Sequence, residues 1–266
     1  MRNYIIGVMK RSFRHFFFFI GRFLVLSLLL ILVSSSIRGG GDAMLGKLYY
    51  YLVMPGVVCH ETAHAAACLC TGFKIVEFAP FKPHGDVLGY VQWDPGNITL
   101  WTFMAAFLIG TAPLWFGCTA VWLICKLLVK TRFLPDSQDA ILLSPYMSGF
   151  SYWKKVSLSS FSMMKSLLKN WKFSSSLNLL ILYFLFCIIS EMPPSIPDLQ
   201  TGLPGIILLM ILFIFLNLIP FVGIKIDRLT IRLQSIFFTM HSVIVFVLIL
   251  DLLFLICIAL PFSILF

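Results

Sequence analysis

Apolar residues in this chain gather in long runs rather than alternating as on a half-buried strand. Six runs stand out: residues 16–37, broken by Arg22; 48–70; 100–129, broken by Gly110 and Pro113; 177–189; 203–222; and 236–266. A helix needs about 20 apolar residues to cross a bilayer, so each run reads as a crossing helix. Run 177–189 is short unless it continues into Glu191, and run 16–37 either spans or lies partly in the interface. The count is six crossings if the first run spans and five if it does not. Between the second and third runs lies a polar interlude with two β-like stretches, 75–79 and 87–93. Pro80, Pro83, Gly85 and Asp86 between them read as a turn, which predicts a hairpin over about 73–95. The longest hydrophilic stretch is about 130–175. Within it, 152–173 reads equally as an interfacial amphipathic helix or as an ordinary loop. No internal repeat is visible. The pattern predicts an all-α polytopic membrane protein of one domain over residues 1–266, with one small β-hairpin.

Composition sharpens this picture. Of 266 residues, 60% are hydrophobic and 12% charged, against about 25% charged in soluble domains. The seven cysteines (59, 68, 70, 118, 125, 187 and 257) all lie in apolar segments, so they read as small packing residues rather than a disulfide framework. The net charge of +9 does not point to nucleic acid, because the basic residues flank hydrophobic runs as orienting charges do. Arg2, Lys10, Arg11 and Arg14 before an apolar run resemble a signal peptide, but no small-residue cleavage site follows. The N-terminus is therefore read as part of the mature protein, in an integral, multi-pass protein of the cell membrane.

One constellation carries chemistry: His60-Glu61-Thr62-Ala63-His64, inside the second run. Residues four apart share a helix face, so His60 and His64 point at one ion. Glu61 lies about 100° around the helix, placed to reach a water on that ion without binding it. Two histidines and a carboxylate base are what zinc hydrolysis requires. Ionisable groups amid apolar surroundings are expensive and mark function. The competing reading is a set of structural hydrogen bonds between helices. A catalytic zinc takes a third protein ligand, and His84, Glu191, Asp198, Asp227, His241 and Asp251 all qualify by residue type; spacing does not choose among them.

The chain resembles the site-2-protease group of intramembrane zinc metalloproteases, in particular its small prokaryotic members. The likeness rests on the histidine motif, on Val87-Leu88-Gly89-Tyr90-Val91, on Gly110-Thr111-Ala112-Pro113-Leu114, and on Met192-Pro193-Pro194-Ser195-Ile196-Pro197-Asp198-Leu199, which is similar to a Pro-Ser-x-x-Asp signature after a later span. The resemblance implies Zn2+ held by His60, His64 and Asp198, Glu61 as general base, and a membrane-anchored protein as substrate. It makes Asp227 the rival ligand, since Asn217-Leu218-Ile219-Pro220 precedes it. Here the Asp comes two residues late and is followed by Arg228 instead of Gly. It also implies a metal site facing the cytosol, whereas the Lys and Arg distribution puts the hairpin outside. A further expectation is that residues 87–93 offer an edge to which an extended substrate adds as a strand. The alternatives are an inactive relative, against which the intact Glu61 argues, and a transporter or partner-binding protein with structural histidines. A transporter is expected to show paired repeats.

Overall fold

The computed structural model describes residues 2–85, 87–129, 149–170 and 176–256. Helix α1 (Arg2–Phe16) continues through a π-turn at Phe17–Gly21 into α2 (Arg22–Leu45), and α3 (Lys47–Thr71) follows. Strands β1 (Lys74–Ala79) and β2 (Tyr90–Asp94) form an antiparallel pair. The chain then runs through α4 (Leu100–Val129), α5 (Gly149–Asn170), α6 (Ser176–Glu191), α7 (Ile196–Leu218) and α8 (Pro220–Phe254). Five helices are long and apolar enough to cross a bilayer: Asn3–Leu45, Lys47–Thr71, Leu100–Lys126, Ile196–Leu218 and Pro220–Phe254. Their length and composition mark a membrane protein.

The predicted spans shift where local chemistry overrides hydropathy. The first run becomes part of a helix of 43 residues, because the polar N-terminus carries Val8, Ser12 and His15 on one buried face. Arg22 does not interrupt it: the guanidinium sits over the Tyr152 ring, 3.8 Å from its centroid. Run 177–189 emerges as the 16-residue α6, about 24 Å long and shorter than the hydrocarbon core of about 30 Å. The fifth run begins at Ile196 instead of 203, because Ser195 caps the helix and Pro197 suits its first turn. It stops at Leu218 because Ile219, ahead of Pro220, takes an extended conformation (φ −96°, ψ 108°). Residues 130–148 and 171–175 of the hydrophilic stretch, residues 257–266 of the last run, Cys257 and Asp86 lie outside the described residues.

The core joins five helices, α2, α4, α5, α6 and α8. Leu30 of α2, Leu114 of α4, Leu185 of α6 and Ile244, Phe246 and Val247 of α8 pack in one buried cluster with Met192. Helix α5 buries Tyr152, Val156, Ser160, Met163 and Leu167. It is fastened to α8 by the Ser160 hydroxyl, which donates to the Ser242 carbonyl at 2.8 Å.

The hairpin lies on the helix that carries the histidine motif. Ile75, Val91 and Trp93 pack against Cys68, Ala105 and Ile109 of α3 and α4. The second strand was expected from residue 87 but starts at Tyr90. Residues 87–89 are drawn onto α3 instead: Leu88 is buried among Tyr49, Val53 and Val57, and its carbonyl accepts the Lys82 amide at 2.7 Å. Val87 forms an isolated bridge with His84, whose side chain is exposed as expected for a turn.

Candidate metal centre

Four helices and the turn between α6 and α7 build the site. His60 and His64 lie one turn apart on α3, with ring centroids 4.8 Å apart and Nε2 atoms 3.1 Å apart. Asp198 enters from the first turn of α7: its Oδ2 is 3.4 Å from His60 Nε2 and its Oδ1 is 3.3 Å from His64 Nε2. All three side chains are largely buried, with 12%, 7% and 19% of their surfaces exposed in that order.

The sequence explains why each group points inward. A proline has no amide hydrogen, so Pro113 leaves the carbonyl four residues before it, that of Ile109, without a helical partner. His64 Nδ1 donates to that carbonyl at 2.8 Å. His60 Nδ1 donates to the Glu191 carbonyl at 2.6 Å. Helix α6 ends at Glu191, and the amide four residues on, that of Ser195, is bonded to Asp198 Oδ2 instead. Both imidazoles are thus fixed in the tautomer that turns an Nε2 lone pair toward Asp198. Pro113→Ala is expected to return an amide hydrogen to the Ile109 carbonyl and compete with His64. Metal affinity, measured against a chelating dye, should fall about 10- to 100-fold without unfolding; an unchanged affinity would remove Pro113 from this role.

Asp198 is held by its own helix terminus. Ser195 N–H and Oγ both lie 2.7 Å from Asp198 Oδ2, and the Asp198 amide donates back to Ser195 Oγ at 3.2 Å, a capping box. Helix α7 reaches this depth because Gly110 of α4 presents no side chain: a Cβ there would collide with the Asp198 carbonyl. Gly56 does the same for α3 against the Cys187 carbonyl of α6. The non-helical turn between α6 and α7 has Met192, Pro193 and Pro194 buried. Irregular backbone at membrane depth is tolerated only where protein or a water-lined cavity covers it.

Glu61 is 9% exposed. Its side chain lies under the hairpin: a Cβ at Gly89 would come within 2.9 Å of Glu61 Cγ. The residue just ahead of β2 therefore stands directly over Glu61, a contact that the hydropathy pattern did not disclose.

The remaining candidate ligands lie elsewhere. Asp227 Oδ1 is 2.8 Å from His15 Nε2 and 3.5 Å from Arg14, on α1. The Glu191 carboxylate pairs with Arg38 of α2 at 2.5 Å, and it is the Glu191 backbone that meets the site. His241 Nδ1 is hydrogen-bonded to the Tyr152 hydroxyl of α5 at 2.6 Å. Asp251 is buried, and its Oδ2 has no partner among the described residues. The groups that sequence reading passed over are the Ile109 and Glu191 carbonyls. The signal for the first was a proline four residues downstream.

Comparison with known proteins adds no identity. No family model matches the chain, nor does any curated protein or solved structure. The chemistry of the site therefore rests on its own geometry.

That geometry fits a metal ion. His60, His64 and Asp198 each offer a ligand atom, all within 4.8 Å of one another. A tetrahedral ion with bonds of about 2.0–2.1 Å holds its ligand atoms about 3.3 Å apart. Here the two Nε2 atoms are 3.1 Å apart, and each has an Asp198 oxygen at a similar distance, His64 Nε2 facing Oδ1 at 3.3 Å and His60 Nε2 facing Oδ2 at 3.4 Å. Two imidazole lone pairs facing each other and a carboxylate repel unless a cation stands between them. A set of two imidazole nitrogens and one carboxylate oxygen suits a divalent transition-metal ion.

Proposed function

We propose that this protein is a zinc-dependent, membrane-embedded endopeptidase that cuts peptide bonds in or near the transmembrane segments of membrane-anchored proteins. The observation that carries the reading is the convergence of His60 Nε2, His64 Nε2 and Asp198 beside Glu61 on the same helix. In this reading residues 1–266 act as one multi-pass unit of the cell membrane, akin to the site-2-protease group.

Zinc held by His60, His64 and Asp198 would polarise a carbonyl and bring the pKa of water down to about 7. The protein's own groups do the rest. The Glu61 carboxylate takes a proton from the attacking water and returns it to the departing amine. The carbonyls of Ile109 and Glu191 hold the two imidazoles in register as charge develops. The Ser195 capping box keeps Asp198 Oδ2 engaged and leaves Oδ1 toward His64. An extended substrate segment pairs along the hairpin, whose Gly89 lies against Glu61, so the scissile carbonyl comes to rest near the base.

The test is cleavage of single-span model substrates by the purified protein in proteoliposomes. Removal of metal with a chelator should abolish cleavage and added zinc should restore it. Undiminished cleavage by the metal-free protein, or co-purification with iron in place of zinc, would sink the proposal.

A further inference from the structure

The motif Asn217-Leu218-Ile219-Pro220 is not used by the metal centre. It sits at the opposite end of α7, about 28 Å along the axis from Asp198, where α7 turns into α8. There the structure has a cleft of about 310 Å³ lined by Tyr4, Gly7, Arg11, Asn217 and Pro220, among others.

Two polar groups in this cleft have no partner among the described residues. Asn217 is 1% exposed, and its amide orientation is fixed because Nδ2 donates both hydrogens. One goes to the Phe213 carbonyl at 2.8 Å. The other goes to His15 Nδ1 at 3.2 Å, whose Nε2 in turn faces Asp227. This leaves Asn217 Oδ1 buried with no donor among the described residues. An unmet buried acceptor of this kind costs about 1–3 kcal/mol and calls for a partner. Arg11 is half-buried and pairs with no carboxylate among the described residues. The two converge over Gly223: a Cβ there would lie 2.9 Å from Arg11 Nη1 and 3.1 Å from Asn217 Oδ1. The absence of a side chain at Gly223 thus lets a guanidinium donor and an amide acceptor approach the same point.

The surroundings define what fits. The cleft lies where two candidate membrane spans, Ile196–Leu218 and Pro220–Phe254, meet, and a turn between two helices that both cross a bilayer falls at its headgroup level. Lys10 and Arg14 of α1 and Lys225 and Arg228 near the start of α8 add basic side chains here, and such basic clusters beside a span attract anionic lipid headgroups. We propose that this cleft binds the headgroup of a membrane phospholipid, its phosphate on Arg11 and the neighbouring ammonium or hydroxyl donating to Asn217 Oδ1. The recognised chemistry is a phosphate ester with a hydrogen-bond donor a few atoms away, supplied by the bilayer. It requires that α7 and α8 cross a membrane and is independent of any activity at the metal centre.

Native mass spectrometry of the full chain in detergent, titrated with phosphatidylethanolamine and phosphatidylglycerol, tests this. The native protein should retain one such lipid. Arg11→Gln should weaken retention about tenfold, the loss of one charge-assisted contact. Gly223→Ala, whose added methyl would push Arg11 Nη1 away from Asn217 Oδ1, should do the same, whereas Lys10→Gln should not. Circular dichroism of each variant checks that the helices persist. Equal losses with Arg11→Gln and Lys10→Gln would reduce the effect to diffuse attraction and overturn the site. Displacement of the lipid by free phosphoethanolamine or glycerol 3-phosphate at equal concentration would overturn the bilayer as the source.

Discussion

A His64→Ala protein is expected to emerge from purification without zinc, and the native chain with about one ion. His64 contributes one of three converging ligand atoms, and its Nε2 lies 3.1 Å from His60 Nε2 and 3.3 Å from Asp198 Oδ1. Zinc sites bind with a total of about 10–16 kcal/mol, so loss of one protein ligand should weaken affinity by roughly a hundred- to a thousand-fold. Asp198→Asn is the sharper variant. The amide retains an oxygen to accept from the Ser195 backbone N–H, so the α7 terminus survives while the charge is lost. Asp227→Ala should leave the metal in place, because Asp227 is occupied by His15 and Arg14 on α1. Metal content per chain, by elemental analysis of the detergent-solubilised protein, reads all three. Loss with Asp227→Ala and retention with Asp198→Asn would reverse the assignment of the third ligand.

Glu61→Gln should abolish turnover while leaving metal content at the native level. The substitution keeps the side chain's size, so its contact beneath Gly89 is preserved and the hairpin stays seated. It removes only the ability to take and return a proton. General-base catalysis is worth about 10²–10⁴ in rate, so cleavage of a single-span substrate in proteoliposomes should drop by that range. Activity within threefold of native, with zinc still bound, would place the base elsewhere. If the variant also loses its metal, Glu61 is holding the site rather than acting in the chemistry.

The comparison between chain and fold divides along the range of the interactions involved. Span boundaries were legible where the determinant was a local run, and they moved where it was a cap or a proline. Ser195 and Pro197 start α7 at Ile196, upstream of the residues that hydropathy marks, and in doing so they put Asp198 on the first turn. The second strand of the hairpin begins three residues later than its β-like pattern suggested. Burial of Leu88 between Tyr49, Val53 and Val57 outweighs the ladder bonds that residues 87–89 would have made.

By itself the sequence determined that this is a helical membrane protein, that two imidazoles share one helix face, and that a carboxylate follows the first of them. These are properties of runs and of spacing within one helix, and neighbouring residues settle them. The tertiary structure alone decided which acid stands beside the histidines. Asp198 and Asp227 are equivalent as residue types, and only the approach of α7 to α4 at Gly110 brings one of them within 3.4 Å of the rings. It also decided which carbonyls orient those rings. A backbone oxygen has no letter in the sequence, and its availability depends on a missing proline hydrogen or on a helix end more than forty residues away along the chain.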